Sequence, residues 1–232
     1  YEIPSTMEEL IALSDQMVAD GNTPWCIGVE SGNATGWTAT DWMEDLMLRT
    51  TSPENYDRWV SNDLPFNSPE VLNAMEVYGQ FSRNDDYVAG GASSVATTFF
   101  GDAPKGLFSS PASCLMHRQA SFIPAFFPKK GEEVANGEAD FFYFPPYASK
   151  ELGNPVLGAG TLWTMTKDSP VTRAFFKFMS EASAHEAWMS QGTFLTAHKA
   201  ADLSAYATPA LRKQGEILSN ATTFRFDASD LM

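Results

Sequence analysis

The stretch Glu30-Ser31-Gly32-Asn33-Ala34-Thr35-Gly36-Trp37 holds the densest set of side chains suited to binding. An apolar run, Pro24-Trp25-Cys26-Ile27-Gly28-Val29, precedes it and predicts a buried strand. Glu30 then places a carboxylate at the C-terminal edge of a sheet, where open α/β sheets hold ligands. Ser31, Asn33 and Thr35 offer short polar groups, and Gly32 and Gly36 let backbone come close. Trp37 opens a helix, so unpartnered N–H groups lie beside its ring. The plain alternative is an ordinary βα loop with Trp37 packed in the core. Two further places carry similar chemistry. Arg118, in His117-Arg118-Gln119, has a planar fork for a hydroxyl or a carboxylate, or it is a salt-bridged surface residue. Gly158-Ala159-Gly160-Thr161 admits either a ligand near the backbone or tight strand packing.

Catalytic and metal chemistry find little support. There is no GxSxG, HExxH, P-loop or dinucleotide-binding fingerprint. His117, His185 and His198 lack metal-ligand spacing, and His185 reads as a surface residue within a helix. Glu30 with Asp41 or Asp45 imitates a glycosidase acid pair, but any acidic chain supplies such pairs by chance. No metal and no cofactor is expected. Cys26 and Cys114 form no CxxC pair, and their count alone favours two buried thiols over a disulfide. The formal net charge of −14 repels nucleic acid and anionic lipid, and no apolar run is long enough to span a membrane.

The elements that position these residues follow from local signals. Residues 5–21 predict a helix capped by Ser5 or Thr6 with Glu8 or Glu9 completing a capping box, a stripe of Leu10, Leu13, Met17 and Val18, and Gly21 as stop. Residues 37–50 predict a second helix with Trp42, Leu46 and Met47 on one side. Two Ser-Pro-Glu starts predict helices over 53–61 and 69–82. Between 95 and 123 the pattern predicts a helix ending near Phe100, a strand over 106–109 and a helix from Ser113. A strand over 139–144 running into Pro145-Pro146 and a glycine-bearing strand over 156–165 follow. Residues 168–192 predict one long amphipathic helix with Asp168 or Ser169 as cap, burying Phe175, Phe178, Met179 and Trp188. A last helix covers 209–218. Strands alternate with helices, so the class is α/β. Both ends read as cuts in a longer protein: no signal precedes Tyr1, and FRFDASDLM carries no helix or turn signal.

The order STMEELIALSDQMVADG, WCIGVE, a tryptophan-led helix, GLFSSPAS, YFPPY, LGAGTLWTMTKDSP and AFFKFMSEASAHEAWMSQGTFLTAHK resembles the solute-binding proteins of bacterial sugar ABC transporters, in particular the α-glucoside-binding type related to maltose-binding protein. The resemblance covers the whole chain and implies a periplasmic-binding-protein type II-like fold, mostly one lobe plus part of the second. It implies a C-terminal-lobe segment over 1–147, a hinge crossover and N-terminal-lobe segment over 148–207, and a return to the C-terminal lobe over 208–232. The helix after residue 170 would then lack its sheet and need another partner or stand exposed. The implied function is capture of a sugar in an interlobe cleft and delivery to an ABC permease, in the periplasm or another extracytoplasmic space. The implied ligand-binding residues are Glu30, Ser31, Asn33, Thr35, Trp37, Arg118, Gly158, Gly160 and Thr161. Ser110-Pro111-Ala112 lacks the aromatic that maltose-binding protein carries at this turn, which sets the maltodextrin stacking mode apart. The resemblance also brings Cys26 and Cys114 into neighbouring segments and so implies a disulfide. A carbohydrate-active enzyme and a polyol or peptide binder of the same fold are the alternatives.

Overall fold

Local capping sets most of the helices. The computed structural model describes residues 1–192 and 194–230, so residue 193 and the last two residues of the 208–232 segment lie outside the described residues. Helix α1, Met7–Ala19, starts at Thr6, whose hydroxyl accepts the Glu9 N–H at 3.1 Å while the Glu9 carboxylate accepts the Thr6 N–H at 3.2 Å. The capping box therefore uses Glu9, and Glu8 instead accepts the Ala148 N–H. Met7, Leu10, Leu13 and Met17 are buried along α1. Helices α2 (Trp37–Thr50), α3 (Pro53–Val60) and α4 (Pro69–Ser82) follow, with Ser52 and Ser68 capping α3 and α4 ahead of Pro53 and Pro69. A single turn of helix, α5, covers Glu132–Ala135.

The chain folds into two compact units, one of Tyr1–Gly158 with Thr222–Met232 and one of Ala159–Ala221. In the first unit, α2 packs on α4 through Trp42, which meets Phe81 at 5.6 Å and Tyr78 at 5.7 Å. Trp25 stands edge-on to Trp42 and Phe81 at 5.7 and 5.2 Å. Its buried indole N–H is satisfied by Ser14 Oγ at 3.0 Å, and Ser14 in turn donates to the Leu10 carbonyl. Strands β1, Pro155–Gly158, and β2, Thr223–Phe226, pair in parallel, with Pro155 opposite Thr223 and Gly158 opposite Phe226.

Several expected elements take another form. Residues 24–30 are extended and mostly buried but make isolated bridges, Trp25 with Val88 and Met116 and Glu30 with Phe99, rather than a continuous strand. Their hydrogen bonds are divided among Tyr87, Val95, Thr98 and Met116, so no single ladder forms. The helix expected to end near Phe100 is a series of turns after Gly90 and Gly91, both at positive φ. The strand expected over 106–109 is replaced by a 3₁₀ helix, Ala103–Phe108. The helix expected from Ser113 is extended chain, because Leu115 and Met116 donate to the carbonyls of Thr23 and Pro24. Residues 139–147 form no strand, and the glycine-bearing strand is confined to β1. The C-terminal residues, without a visible signal, form β2 and the 3₁₀ turn Ala228–Asp230.

In the second unit the long amphipathic stretch is two helices, α6 (Pro170–Met179, capped by Ser169) and α7 (Ala182–Met189). Ser180 Oγ donates to the Lys177 carbonyl, Glu181 is extended, and His185 reaches back to the Met179 carbonyl at 2.8 Å. His185 is thus half-buried and holds the end of α6, not a free surface residue. Phe175 and Phe178, expected inside, are 41% and 55% exposed, while Met179 and Trp188 are half-buried. Helix α8, Pro209–Ser219, packs its Gly215 beneath Tyr206: a Cβ there would lie 2.4 Å from that ring.

Candidate functional site

The loop after residues 24–29 closes on itself. Glu30 Oε1 accepts the Gly32 N–H at 2.6 Å, and Thr35 Oγ1 accepts the Ser31 N–H at 3.0 Å while donating to the Gly32 carbonyl. Gly36, at φ +105, is the N-cap of α2, a backbone conformation that side chains with a Cβ disfavour. This compact turn leaves Asn33 and Thr35 exposed and Glu30, Ser31 and Trp37 half-buried. It holds Glu30, Ser31, Asn33, Thr35 and Trp37 at one corner of the first unit.

The same corner carries a group of aromatic rings. Trp37 meets Phe100 edge-on at 5.0 Å and Phe122 at 5.9 Å. Phe126 lies 5.0 Å from Phe100 and 6.1 Å from Phe122, and Phe99 lies 4.6 Å from Phe100. Phe99 bridges Glu30 in register and is 37% exposed, and Phe122 is 45% exposed. A carboxylate, short polar groups and exposed ring surface together match a molecule with hydroxyls on its rim and C–H faces. Sequence reasoning missed Phe99, Phe100, Phe122 and Phe126. Their only linear signal was the paired phenylalanines at 99–100 and 126–127, which leaves Phe122 unmarked.

The other expected residues are placed differently. Arg118 lies on the extended segment and not on a helix. Its guanidinium donates to Asp45 Oδ2 at 2.7 Å and to the Asp41 carbonyl at 3.0 Å, and its side chain is 13% exposed. Its fork is thus engaged with α2. His117 beside it donates from Nδ1 to the Cys26 carbonyl at 2.7 Å, and burial pushes its imidazole down to about 4. Gly158 ends β1 under the Phe224 ring, where a Cβ would lie 2.3 Å from ring carbon, so its missing side chain serves packing. Gly160 and Thr161 fall in the second unit and are exposed.

Cys26 and Cys114 are joined by a disulfide, with Cα atoms 5.4 Å apart across a sequence separation of 88. It ties the extended segment that carries Glu30 to the segment that carries Arg118. Both cysteines are thereby spent, so neither offers a thiolate to a metal. No described helix is long and apolar enough to cross a membrane.

The fold matches about half of the chain of two solved binding proteins. Two solved structures, a chitin oligosaccharide binding protein and the bacterial solute receptor AcbH, described as having an exclusive preference for β-D-galactopyranose, each superpose with TM-score 0.74 at 17% identity, covering 100% of this chain and 56% of theirs. In sequence the chain is similar, at 60% identity over its full length, to the alpha-glucosides-binding periplasmic protein AglE of Rhizobium meliloti (strain 1021). It is 44% identical, again over its full length, to the osmoprotective compounds-binding protein GgtB of Synechocystis sp.. The chain spans about half the length of these curated relatives, 50% and 54%. Both relatives are binding proteins rather than enzymes by name. No protein-family model matches the chain.

Proposed function

We propose that the protein is the substrate-binding component of a bacterial ABC transporter for carbohydrate, with α-glucosides as the ligand class. The observation that carries this reading is the 60% identity, over the full length of the chain, to a protein named for binding α-glucosides. The first unit belongs to one lobe, and the second unit carries part of the other. Glu30, Ser31, Asn33, Thr35 and Trp37 face the sugar from the first lobe, with Phe99 and Phe122 extending the aromatic surface. Arg118 and Gly158 act from behind this wall by holding α2 and the β1–β2 pair, and Gly160 and Thr161 contribute from the crossover. No bond of the ligand is made or broken: closure of the lobes buries it and a permease receives it. A disulfide supports an extracytoplasmic, oxidising location.

Calorimetric titration of the full-length protein against α-linked and β-linked disaccharides, polyols and peptides tests this. Binding of α-linked glucosides, with the sugar recovered unchanged, is the expected result. Turnover, or heat only with peptides, overturns it. Trp37→Ala should weaken binding at least about tenfold, roughly 1.4 kcal/mol, with a melting temperature close to the wild type. The 232-residue chain alone should bind weakly or not at all. A second reading, an osmoprotectant binder, is favoured by the 44% identity to GgtB and predicts the strongest heat with the polyol arm.

A further inference from the structure

Four carboxyl groups and two guanidinium groups meet inside the first unit. Asp41, Glu44, Asp45 and Arg49 come from α2, Asp227 follows β2, and Arg118 comes from the extended segment; the first five are at most 9% exposed. Arg49 and Arg118 both pair with Asp45. If every acid is ionised, four negative charges face two positive ones. Uncompensated charge out of water is costly. Asp41, Glu44 and Asp227 bring carboxyl oxygens within 4.8 Å of one another. The Ser229 N–H donates to Glu44 Oε1 at 3.1 Å and to Asp227 Oδ1 at 2.8 Å. Glu44 Oε2 is buried and no donor reaches it. Glu44 meets the Asp227 carboxyl in this group, and two acceptors bond only through a proton that one of them carries. The tyrosines on this side give their protons elsewhere: Tyr56 to the Phe226 carbonyl at 2.8 Å and Tyr143 to the Pro155 carbonyl at 2.5 Å.

We propose that Asp41, Glu44 and Asp227 form a proton-held latch: protons shared among these three carboxyl groups dock the return segment, residues 223–230, on α2, and their loss as pH rises loosens it. The latch sits where the chain leaves and re-enters the first unit, because β1 leads out at Gly158 and β2 leads back in. The Asp227 N–H donates to the Gly158 carbonyl at 2.9 Å, so one residue joins the return segment to the end of β1. Burial, opposed by Arg118 and reinforced by the neighbouring carboxylates, pushes Asp41 up to about 7. Burial and Asp227 push Glu44 up to about 9. Both acids therefore hold protons in the fold that they release when exposed, their ordinary values being 3.8 and 4.5. Their contribution to stability is full below those ordinary values. It is lost as pH rises, by about 7 for Asp41 and about 9 for Glu44.

The test is hydrogen exchange of the full-length protein from about pH 6 to about pH 9, reading the Asp227 amide and correcting for intrinsic exchange. Opening of the segment should rise roughly tenfold per pH unit for each proton released. Glu44→Gln places a neutral amide at the same site and should remove one proton's worth of that slope. Equal slopes in wild type and Glu44→Gln overturn the latch. Carbon-13 titration of the wild-type Glu44 carboxyl gives an answer that needs no variant: a midpoint above about 7 is expected, and one below about 6 overturns the proposal. If millimolar calcium, magnesium or manganese raises the melting temperature near pH 8 and a chelator reverses it in wild type alone, a cation balances the charge and the proton latch is wrong.

Discussion

Arg118 and Asp45 form a buried pair at 2.7 Å, and Arg49 closes on the same carboxylate from the next turn of α2. Arg118→Ala removes one of the two guanidinium groups on Asp45 and leaves Arg49 in place, so it should cost about 2 kcal/mol of stability, read from urea unfolding of the full-length protein. Its effect on sugar affinity should be smaller than that of Trp37→Ala. His117 offers a pH test of opposite sign to the carboxyl latch. Its ordinary value is 6.5 and burial lowers it to about 4 in the fold. The unfolded chain takes up the proton first, so the stability from keeping this ring neutral is full above 6.5 and is lost as pH falls toward 4. The His117 imidazole should show no titration by proton NMR above about pH 5.5. A midpoint near the ordinary value would mean that the ring is open to water.

Among the elements, the capped helices carry local information and the extended segments carry almost none. Thr6→Ala removes the capping hydroxyl of α1 and should cost about 1 kcal/mol by denaturant unfolding. The disulfide constrains a chain separation of 88 residues. A Cys26→Ser, Cys114→Ser variant should lose roughly 4 kcal/mol, seen as a lower urea midpoint with an increased slope if the unfolded state expands. Gly106 packs on this bridge: a Cβ there would lie 2.4 Å from Cys114 Sγ and 3.3 Å from Cys26 Sγ. Helices α1, α3, α4 and α8 and the start of α6 were legible because their caps lie within four residues of the groups they satisfy. The segments around 24–30 and 113–119 were misread because their hydrogen-bond partners lie tens of residues away, as with Cys26 and Met116.

At the scale of the molecule, the second unit shows Leu162, Trp163, Val171 and Phe178 at 75%, 53%, 80% and 55% exposure. Apolar surface of this kind is normally covered. Relatives about twice as long supply further chain that could cover it. The 232-residue chain by itself should therefore self-associate despite its charge of −14, and Phe178→Glu should reduce that association by light scattering. In the full-length protein the same substitution should destabilise. Equal behaviour of both proteins would show that this face has no partner elsewhere in the protein.

The amino-acid sequence by itself determined the helices with Thr or Ser caps, the acidic balance, and the loop from Glu30 to Trp37 as the turn that leads into α2. These depend on neighbours along the chain or on sums over it. Only the tertiary structure decided that α6 and α7 are separate, that Phe100 and Phe122 stand beside Trp37, and that Arg118 faces inward to Asp45. It also decided which carboxylates matter: Glu44 and Asp227, 1% and 7% exposed, are 183 positions apart and look like any other acid until burial brings them together. Desolvation and pairing are properties of place, and place is set by contacts that no local pattern of residues encodes.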